Sequence, residues 1–412
     1  MIPYQRLLHD EPPRTDSRGI TASASTDDHS HGPRLRIVVD ATACLSGGRL
    51  YVNELLPILI EGFADTEWII YGEVTPELRA VAAHDGVQFR TIRFPQPTTS
   101  LLLSGMSKLL WREAVLPFEL AALRPCLFLT TANFASPLLS RLKIPVVLAI
   151  HNLLPFHEPQ WYQESNPIRR WRSRWLRPLT VHSAKRATRT IAFSGYARDL
   201  LCKQGVDAAR VSIIHHGIRP APQQWSGAES DTVLLVSHYF AYKNIHVAIR
   251  ALPQVQAATG RPIKLLVQGV PYDGQYYARL AELVRSHGLE ESVTLGRGVA
   301  PSELTALYAS ARCLLFPAVG ENCPITLLEA MSVGTPIVAA KAAPLPEICG
   351  PAAVYYDTFD DRSCARAITQ LLNDRSAANE LSAAGRQRSG ADFTWEGCAR
   401  KTADVLLLAW GQ

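Results

Sequence analysis

The sequence predicts an α/β protein built from two doubly wound parallel-sheet domains in series, and three observations carry that expectation. Its 412 residues exceed what one hydrophobic core ordinarily serves. Short, continuous, β-branched apolar runs alternate with helical patterns, as parallel strands buried on both faces do. The alternation breaks once, in a Pro-, Gly- and Ser-rich stretch, and then resumes.

Taken in order, residues 1–33 are rich in Ser, Thr, Asp, His and Pro without apolar periodicity, and read as a flexible tail outside the fold. The first domain, 34–216, carries the strand candidates "LRIVVDATACL", "EWIIYG", "VQFRTIRF", "CLFLTT", "PVVLAIHN", "TIAFSG" and "VSIIHHG". Residues 217–231, "GIRPAPQQWSGAESD", read as the linker. The second domain, 232–394, carries "TVLLVS", "IKLLVQG", "SVTLG", "RCLLFP", "PIVAA" and "AAVYYD", interleaved with helices such as "YYARLAELVRSHGL". A last helix within 395–412 follows a complete domain and is expected to pack back on the first. Ligands of doubly wound sheets bind outside the carboxyl ends of the strands, so a central cleft between two such domains is expected.

Bulk properties exclude several classes. Hydrophobic content of 47% with 19% charged residues describes an ordinary globular chain. A net charge of +5 is too mild to argue for nucleic acid, yet suits phosphorylated ligands or an anionic membrane surface. Eight cysteines are scattered singly, with no C-x-x-C pair, which predicts a reducing compartment and no structural zinc. No run reaches the roughly 18 apolar residues of a membrane span, and the N-terminus lacks a signal-peptide core. The expected location is the cytoplasm, with peripheral contact at the inner face of the cytoplasmic membrane. No G-x-G-x-x-G opens a strand-to-helix turn, which argues against a dinucleotide-dependent dehydrogenase, and the P-loop pattern is absent.

The chemistry concentrates in "FPAVGENCPITLLEAMSVGTPIVAA". "RCLLFP" is a buried strand and "PITLLEAMSVG" a helix, with Pro324 near its first turn and Gly334 at its end. Glu321 then lies in the turn, while Glu329 sits inside an otherwise apolar helix, where lost hydration must be repaid by an ion pair, a solvated edge or a ligand's hydroxyls. The helix start, Asn322 to Ile325, offers unsatisfied N–H groups to an anion. An isolated pair of acids reads first as a solvated turn residue, Glu321, and a salt-bridged surface residue, Glu329, but Ile325, Leu327, Leu328, Ala330 and Met331 leave Glu329 little open water.

A second strand-loop-helix, "VLLVSHYFAYKNIHVAIRAL", places His238 just past the strand and Lys243 and Asn244 at the helix start. Lys243 reads either as a solvated lysine or as a cation that neutralises a departing diphosphate. In "DATACLSGGRLYVNELLPIL", Gly47 and Gly48 precede an amphipathic helix and permit close backbone approach to a ligand, although tight turns use such pairs as well. His151 ends a buried strand in "PVVLAIHNLLPFHEP", either as a structural imidazole or as one facing a substrate. "IRRWRSRWLRPL" carries Arg169, Arg170, Trp171, Arg172, Arg174 and Trp175 on one helix. That helix reads as a core-facing tryptophan stripe with a solvated arginine face, or as a basic surface for a membrane or an acceptor's phosphates.

These motifs together closely resemble family 4 retaining glycosyltransferases of the GT-B fold, the group 1 type. The E-x7-E region "ENCPITLLE" with "AMSVGTPIVAA" and "PEICGPAAVYYD", the glycine loop "SGGRLYVNELLPIL", "IHN", "FSGYARDLLCKQGVDAARVSIIHHGI" and "KNIHVAI" match in order from about residue 35 to 400. The resemblance implies two Rossmann-like domains, an N-terminal one for the acceptor and a C-terminal one for the nucleotide sugar. It implies that Glu321 contacts the donor sugar, that Glu329 binds the ribose, and that Lys243 stabilises the diphosphate with N–H groups around Asn322, Cys323, Pro324 and Ile325. His238 and Asn244 would border the donor, His151 would lie by the transferred sugar, and Gly47 and Gly48 would admit its phosphates. It further implies retention at the anomeric carbon, no metal and no cofactor beyond the donor substrate.

The partners so implied are a nucleotide sugar, with GDP-mannose favoured, and a saccharide or lipid-linked acceptor in surface polysaccharide synthesis, with no nucleic acid. The sequence departs from the family at His238, where an arginine is usual, at Asn152, where an aspartate is usual, and at Asn322-Cys323-Pro324, where Gly-Phe-Gly is common. A sugar-nucleotide 2-epimerase of the same architecture, or a catalytically weak binding protein, remains the alternative reading.

Overall fold

The computed structural model describes residues 35–42, 47–94, 101–157, 167–226 and 229–411, with backbone alone at 101, 102, 104 and 167–173. The tail assigned to 1–33 lies outside the described residues.

Thirteen strands among the described residues form two sheets. The first holds β1 (Arg36–Asp40), β2 (Glu67–Tyr71), β3 (Val87–Arg90), β4 (Leu127–Thr130), β5 (Val146–Ile150), β6 (Arg189–Ala192) and β7 (Val211–Ile213), in the order β3-β2-β1-β4-β5-β6-β7. The second holds β8 (Thr232–Val236), β9 (Lys264–Gln268), β10 (Val293–Leu295), β11 (Cys313–Phe316), β12 (Ile337–Ala340) and β13 (Ala353–Tyr356), in the order β10-β9-β8-β11-β12-β13. Pairing is parallel, as between β1 and both β2 and β4, or β11 and both β8 and β12. In each sheet the order reverses beside its first strand, the doubly wound arrangement. Every residue of β4, β5, β11 and β12 is buried, which is why these strands read as unbroken apolar runs.

The sheets divide on either side of 217–231, where no helix or strand occurs among the described residues. That stretch is nonetheless fastened down. Trp225 is buried, its backbone N–H donates to the Val333 carbonyl at 2.8 Å and its indole N–H to the Ala311 carbonyl at 2.8 Å. The Ala221 N–H donates to Ser332 at 2.8 Å.

By compactness the chain separates differently. One unit comprises Met1–Thr131, Ser136–Val147 and Ala403–Gln412, and the other Ala132–Ala135 and Leu148–Thr402. In the first, Tyr51, Trp68 and Tyr71 are among the largest fully buried side chains. In the second, helix Ile245–Thr259 packs on helix Asp361–Asn373. The last helix is Trp395–Trp410.

The seven described cysteines form no disulfide. No helix among the described residues is long and apolar enough to cross a membrane.

Candidate functional site

The site is built within the unit Leu148–Thr402, at the ends of β5, β8 and β11. After β11 the chain turns through Glu321 and enters helix Ile325–Val333, with Pro324 as its cap and Gly334 closing it at φ 85°. A left-handed C-cap suits glycine, and a Cβ there would also lie 2.3 Å from Arg386 Nη1.

After β8, the turn Ala241–Lys243 delivers Lys243 to Glu321, and the two form an ion pair in which each side chain keeps 15% of its exposure. The ammonium also lies 5.2 Å from the Tyr242 ring centroid and 5.9 Å from that of Phe316. A carboxylate and two π faces thus hold one cation beside the N-terminus of helix Ile325–Val333.

Glu329 has an internal partner: the Tyr308 hydroxyl donates to its Oε2 at 2.9 Å. Burial raises the Glu329 carboxyl above its ordinary range, and the Tyr308 bond offsets only part of that. The acid inside the apolar helix is therefore partly repaid from within the fold, by a tyrosine itself almost fully buried.

Asn322 acts as a fastener. Its Nδ2 donates to the carbonyls of Ile150 at 2.7 Å and His151 at 3.2 Å, and its Oδ1 accepts from the Ser194 hydroxyl at 3.3 Å. The turn that begins the Glu329 helix is thereby tied to the end of β5. Cys323 is buried, and that burial pushes its thiol up to about 12. Asn244, held at φ 56°, spends its amide on the Thr358 carbonyl at 2.8 Å. His238 accepts at Nδ1 from the Val270 N–H at 3.1 Å, which leaves its proton on Nε2; burial and then Lys243 lower its basicity.

At the end of β5, Asn133 Oδ1 accepts from the N–H groups of His151 at 2.8 Å and Asn152 at 3.1 Å, fixing the turn. The His151 ring lies 4.4 Å from Phe193 and stacks toward His216 at 5.7 Å. Burial lowers its pKa to about 3, so it is a neutral imidazole at neutral pH.

Two residues escaped the sequence reading. His157 is buried, with its pKa lowered to about 4 by burial and by Lys243, and its ring lies 6.5 Å from Tyr242. It presses so closely on Gly320, beside Glu321, that a Cβ there would sit 2.1 Å from the ring. Only its place six residues after His151 pointed to it. Glu347, in the quoted "PEICG", accepts from the Gly195 N–H at 2.7 Å, the Tyr196 N–H at 3.3 Å and His215 Nε2 at 2.9 Å. It takes up the first two N–H groups of the helix Gly195–Lys203, whose N-cap is Ser194. Burial raises its pKa, but the His215 bond and the two N–H groups outweigh that and lower it overall. The resemblance supplied its motif; nothing in the sequence names its partner, which lies about 150 residues away.

The structure thus brings together Lys243, Glu321, Asn322, Cys323, Pro324 and Ile325, with His238, Asn244, Glu329 and His151 on adjoining elements. Gly47 and Gly48 open the helix Gly47–Gly62 in the other unit, and the loop before them lies outside the described residues. In helix Pro167–Arg186, Arg174 and Trp175 are exposed, Trp175 at 63%; the side chains of Arg169, Arg170, Trp171 and Arg172 lie outside the described residues. Among the described residues no group of three or more His, Cys, Asp or Glu could hold a metal ion.

Two family models match the chain: "Glycosyl transferases group 1" over residues 222–388 and "Glycosyltransferase Family 4" over residues 69–221. An MMP alpha-(1->4)-mannosyltransferase from Mycolicibacterium hassiacum is 26% identical over 262 residues, covering 57% of this chain and 59% of that protein. O-antigen chain mannosyltransferase B from Escherichia coli is 30% identical over 190 residues, covering 46% and 49%. The chain therefore spans only about half to three fifths of the length of these curated relatives. Among solved structures, HepE from Anabaena in complex with UDP and glucose superposes with a TM-score of 0.68 at 17% identity, covering 90% of this chain and 99% of that one. At that identity the likeness speaks for the fold, which is that of GT-B glycosyltransferases.

Proposed function

Because the chain belongs to the group 1, family 4 glycosyltransferases of GT-B fold, we propose that it moves a hexose, with retention and without a metal, from a nucleotide sugar to a saccharide or lipid-linked acceptor in bacterial surface polysaccharide synthesis. The observation that carries this reading is the Lys243–Glu321 pair beside the start of the helix that bears Glu329. In the free protein each charge satisfies the other. A bound diphosphate takes the ammonium as its counter-ion, together with the N–H groups at the helix start, and frees Glu321 to accept hydrogen bonds from the sugar's hydroxyls. Glu329 is half-buried and raised in pKa, so hydroxyls of the ribose would supply the hydration it lacks.

In the step itself the bond from the anomeric carbon to the β-phosphate oxygen breaks, and its electron pair leaves with the nucleoside diphosphate. The acceptor oxygen bonds to the same face of that carbon, and its proton passes to the departing phosphate oxygen. Lys243 holds the negative charge that develops. His151, kept neutral by burial, adds no positive charge against the oxocarbenium-like sugar. The basic helix with Arg174 and Trp175 is assigned to the acceptor's anionic groups.

Mannose is the favoured sugar, on the two mannosyltransferase relatives at 26% and 30% identity, and GDP-mannose is the donor proposed for it. The test is an acceptor-dependent turnover assay across GDP-, UDP-, ADP- and dTDP-sugars. Anomerically retained transfer from GDP-mannose, unaffected by chelator, is expected. Turnover from another donor alone would overturn the mannose assignment, and an epimerised sugar released without acceptor would overturn the transferase reading.

A further inference from the structure

The Lys243–Glu321 pair is carried by two turns, one after β8 and one after β11, and a third group packs on both at the residues that immediately precede the pair. That group is the imidazole of His157. Within the unit Leu148–Thr402, the short 3-10 turn Leu154–Phe156 delivers His157, whose N–H donates to the Leu154 carbonyl at 3.3 Å. The ring lies edge-on to Tyr242 at 6.5 Å, and Tyr242 is the residue before Lys243. It also lies against Gly320, the residue before Glu321.

Gly320 shows how close that second approach is. The glycine is buried and is not held at positive φ, so its backbone conformation does not call for glycine. Space does: a Cβ there would come within 2.9 Å or less of Cε1, Nδ1 and Nε2 of His157. The imidazole thus fills the volume that a side chain at 320 would need. The two turns are also tied to each other directly, by the Val319 N–H donating to the Tyr242 carbonyl at 3.0 Å.

The chemistry of the ring suits that place. Burial, and then Lys243, lower His157 to about 4, so it carries no charge at neutral pH. A neutral imidazole neither repels the ammonium nor competes with it for Glu321. A cationic side chain in the same position would do both.

We propose that His157 is a positioning residue for glycosyl transfer: through Gly320 and Tyr242 it sets the Glu321 carboxylate and the Lys243 ammonium where a donor's sugar and diphosphate require them. It acts through the pair and not on the substrate. The inference rests on the reading of that pair as the donor site. Its expected weight is in the rate, since misplacing a charge-stabilising group by about 1 Å costs on the order of a hundredfold.

The test is release of nucleoside diphosphate from GDP-, UDP-, ADP- and dTDP-sugars by the full chain, with water as the acceptor, read beside the thermal midpoint. With the donor that the wild type uses, His157→Ala should lower kcat by about tenfold to a hundredfold and leave KM within about threefold. His157→Asn serves as a second variant should the first fail to fold. Gly320→Ala should lower both midpoint and kcat, because its methyl meets the ring. Added to His157→Ala, the same methyl has room: the midpoint should return to that of His157→Ala, while kcat should stay as low as in His157→Ala. In the Glu321→Ala background, His157→Ala should cost less than about twofold further, since the group it positions is gone. A kcat within twofold of wild type in the folded His157 variants, losses that multiply fully with Glu321→Ala, or recovery of kcat together with the midpoint in the double variant would overturn the inference and leave the transferase reading standing. A wild type that releases nucleoside diphosphate from none of the four donors would overturn the donor reading of the pair, and the inference with it.

Discussion

At the scale of single residues, the site is a set of charges that the free protein satisfies internally and a ligand would re-partner. Lys243 and Glu321 neutralise each other with little exposure, so removing either leaves an uncompensated charge as well as an incomplete site. Lys243→Ala and Glu321→Ala should each lower turnover by about two to three orders of magnitude, with the circular dichroism spectrum retained.

Glu329 makes a sharper case. Its folded pKa is raised by burial, so the stability it contributes is present below its ordinary value of 4.5 and is lost as pH rises through the folded value. Ionised Glu329 thus burdens the ligand-free fold at neutral pH. Glu329→Gln should leave the thermal midpoint at pH 7 equal to or above wild type, and it should weaken nucleotide-sugar binding by about 1.5–3 kcal/mol, read by titration calorimetry. A fall in midpoint with binding unchanged would mean that Tyr308, rather than a ligand, is the reason for the acid.

At the scale of elements, the turn Glu321–Pro324 is positioned by Asn322 rather than left free to shape itself around a sugar. Its side chain engages two carbonyls after β5 and the Ser194 hydroxyl, so Asn322→Ala should cost about 1–3 kcal/mol in urea unfolding. It should also lower turnover, because Glu321 is the preceding residue.

Much at this scale was legible in the sequence. The helix start at Pro324 and its end at Gly334 were read from local chemistry, a fixed φ and a left-handed cap, and the final helix was placed within 395–412. What could not be read were partners brought together by the fold. Lys243 and Glu321 are 78 residues apart, and Glu347 and Gly195 are 152 apart. No local rule links either pair.

At the scale of the whole molecule, both parallel sheets followed from their unbroken apolar strands, since burial on both faces removes the alternation that would mark a one-sided sheet. The stretch 217–231 was legible as a break in that pattern but not as a fastened strap, because the burial of Trp225 depends on carbonyls contributed by residues far along the chain.

The molecule also buries several neutral imidazoles. His151 is lowered to about 3, His157 and His246 to about 4, and His216 well below its ordinary value, each chiefly by burial. A depressed folded pKa contributes stability that is present above the ordinary value of 6.5 and is lost as pH falls toward the folded values. The urea midpoint should therefore fall from pH 7 to pH 5. His246→Gln, which removes the ring nitrogen 3.1 Å from the Tyr276 hydroxyl, should flatten that slope.

Lys243 and Glu329, joined through the turn that holds Glu321, are proposed to form the nucleotide-sugar site. Titration calorimetry of GDP-mannose into the wild type and into Lys243→Ala tests it most directly. Saturable binding at one site per chain, weakened at least about tenfold by Lys243→Ala, is the predicted result. Equal affinity in wild type and variant would contradict it.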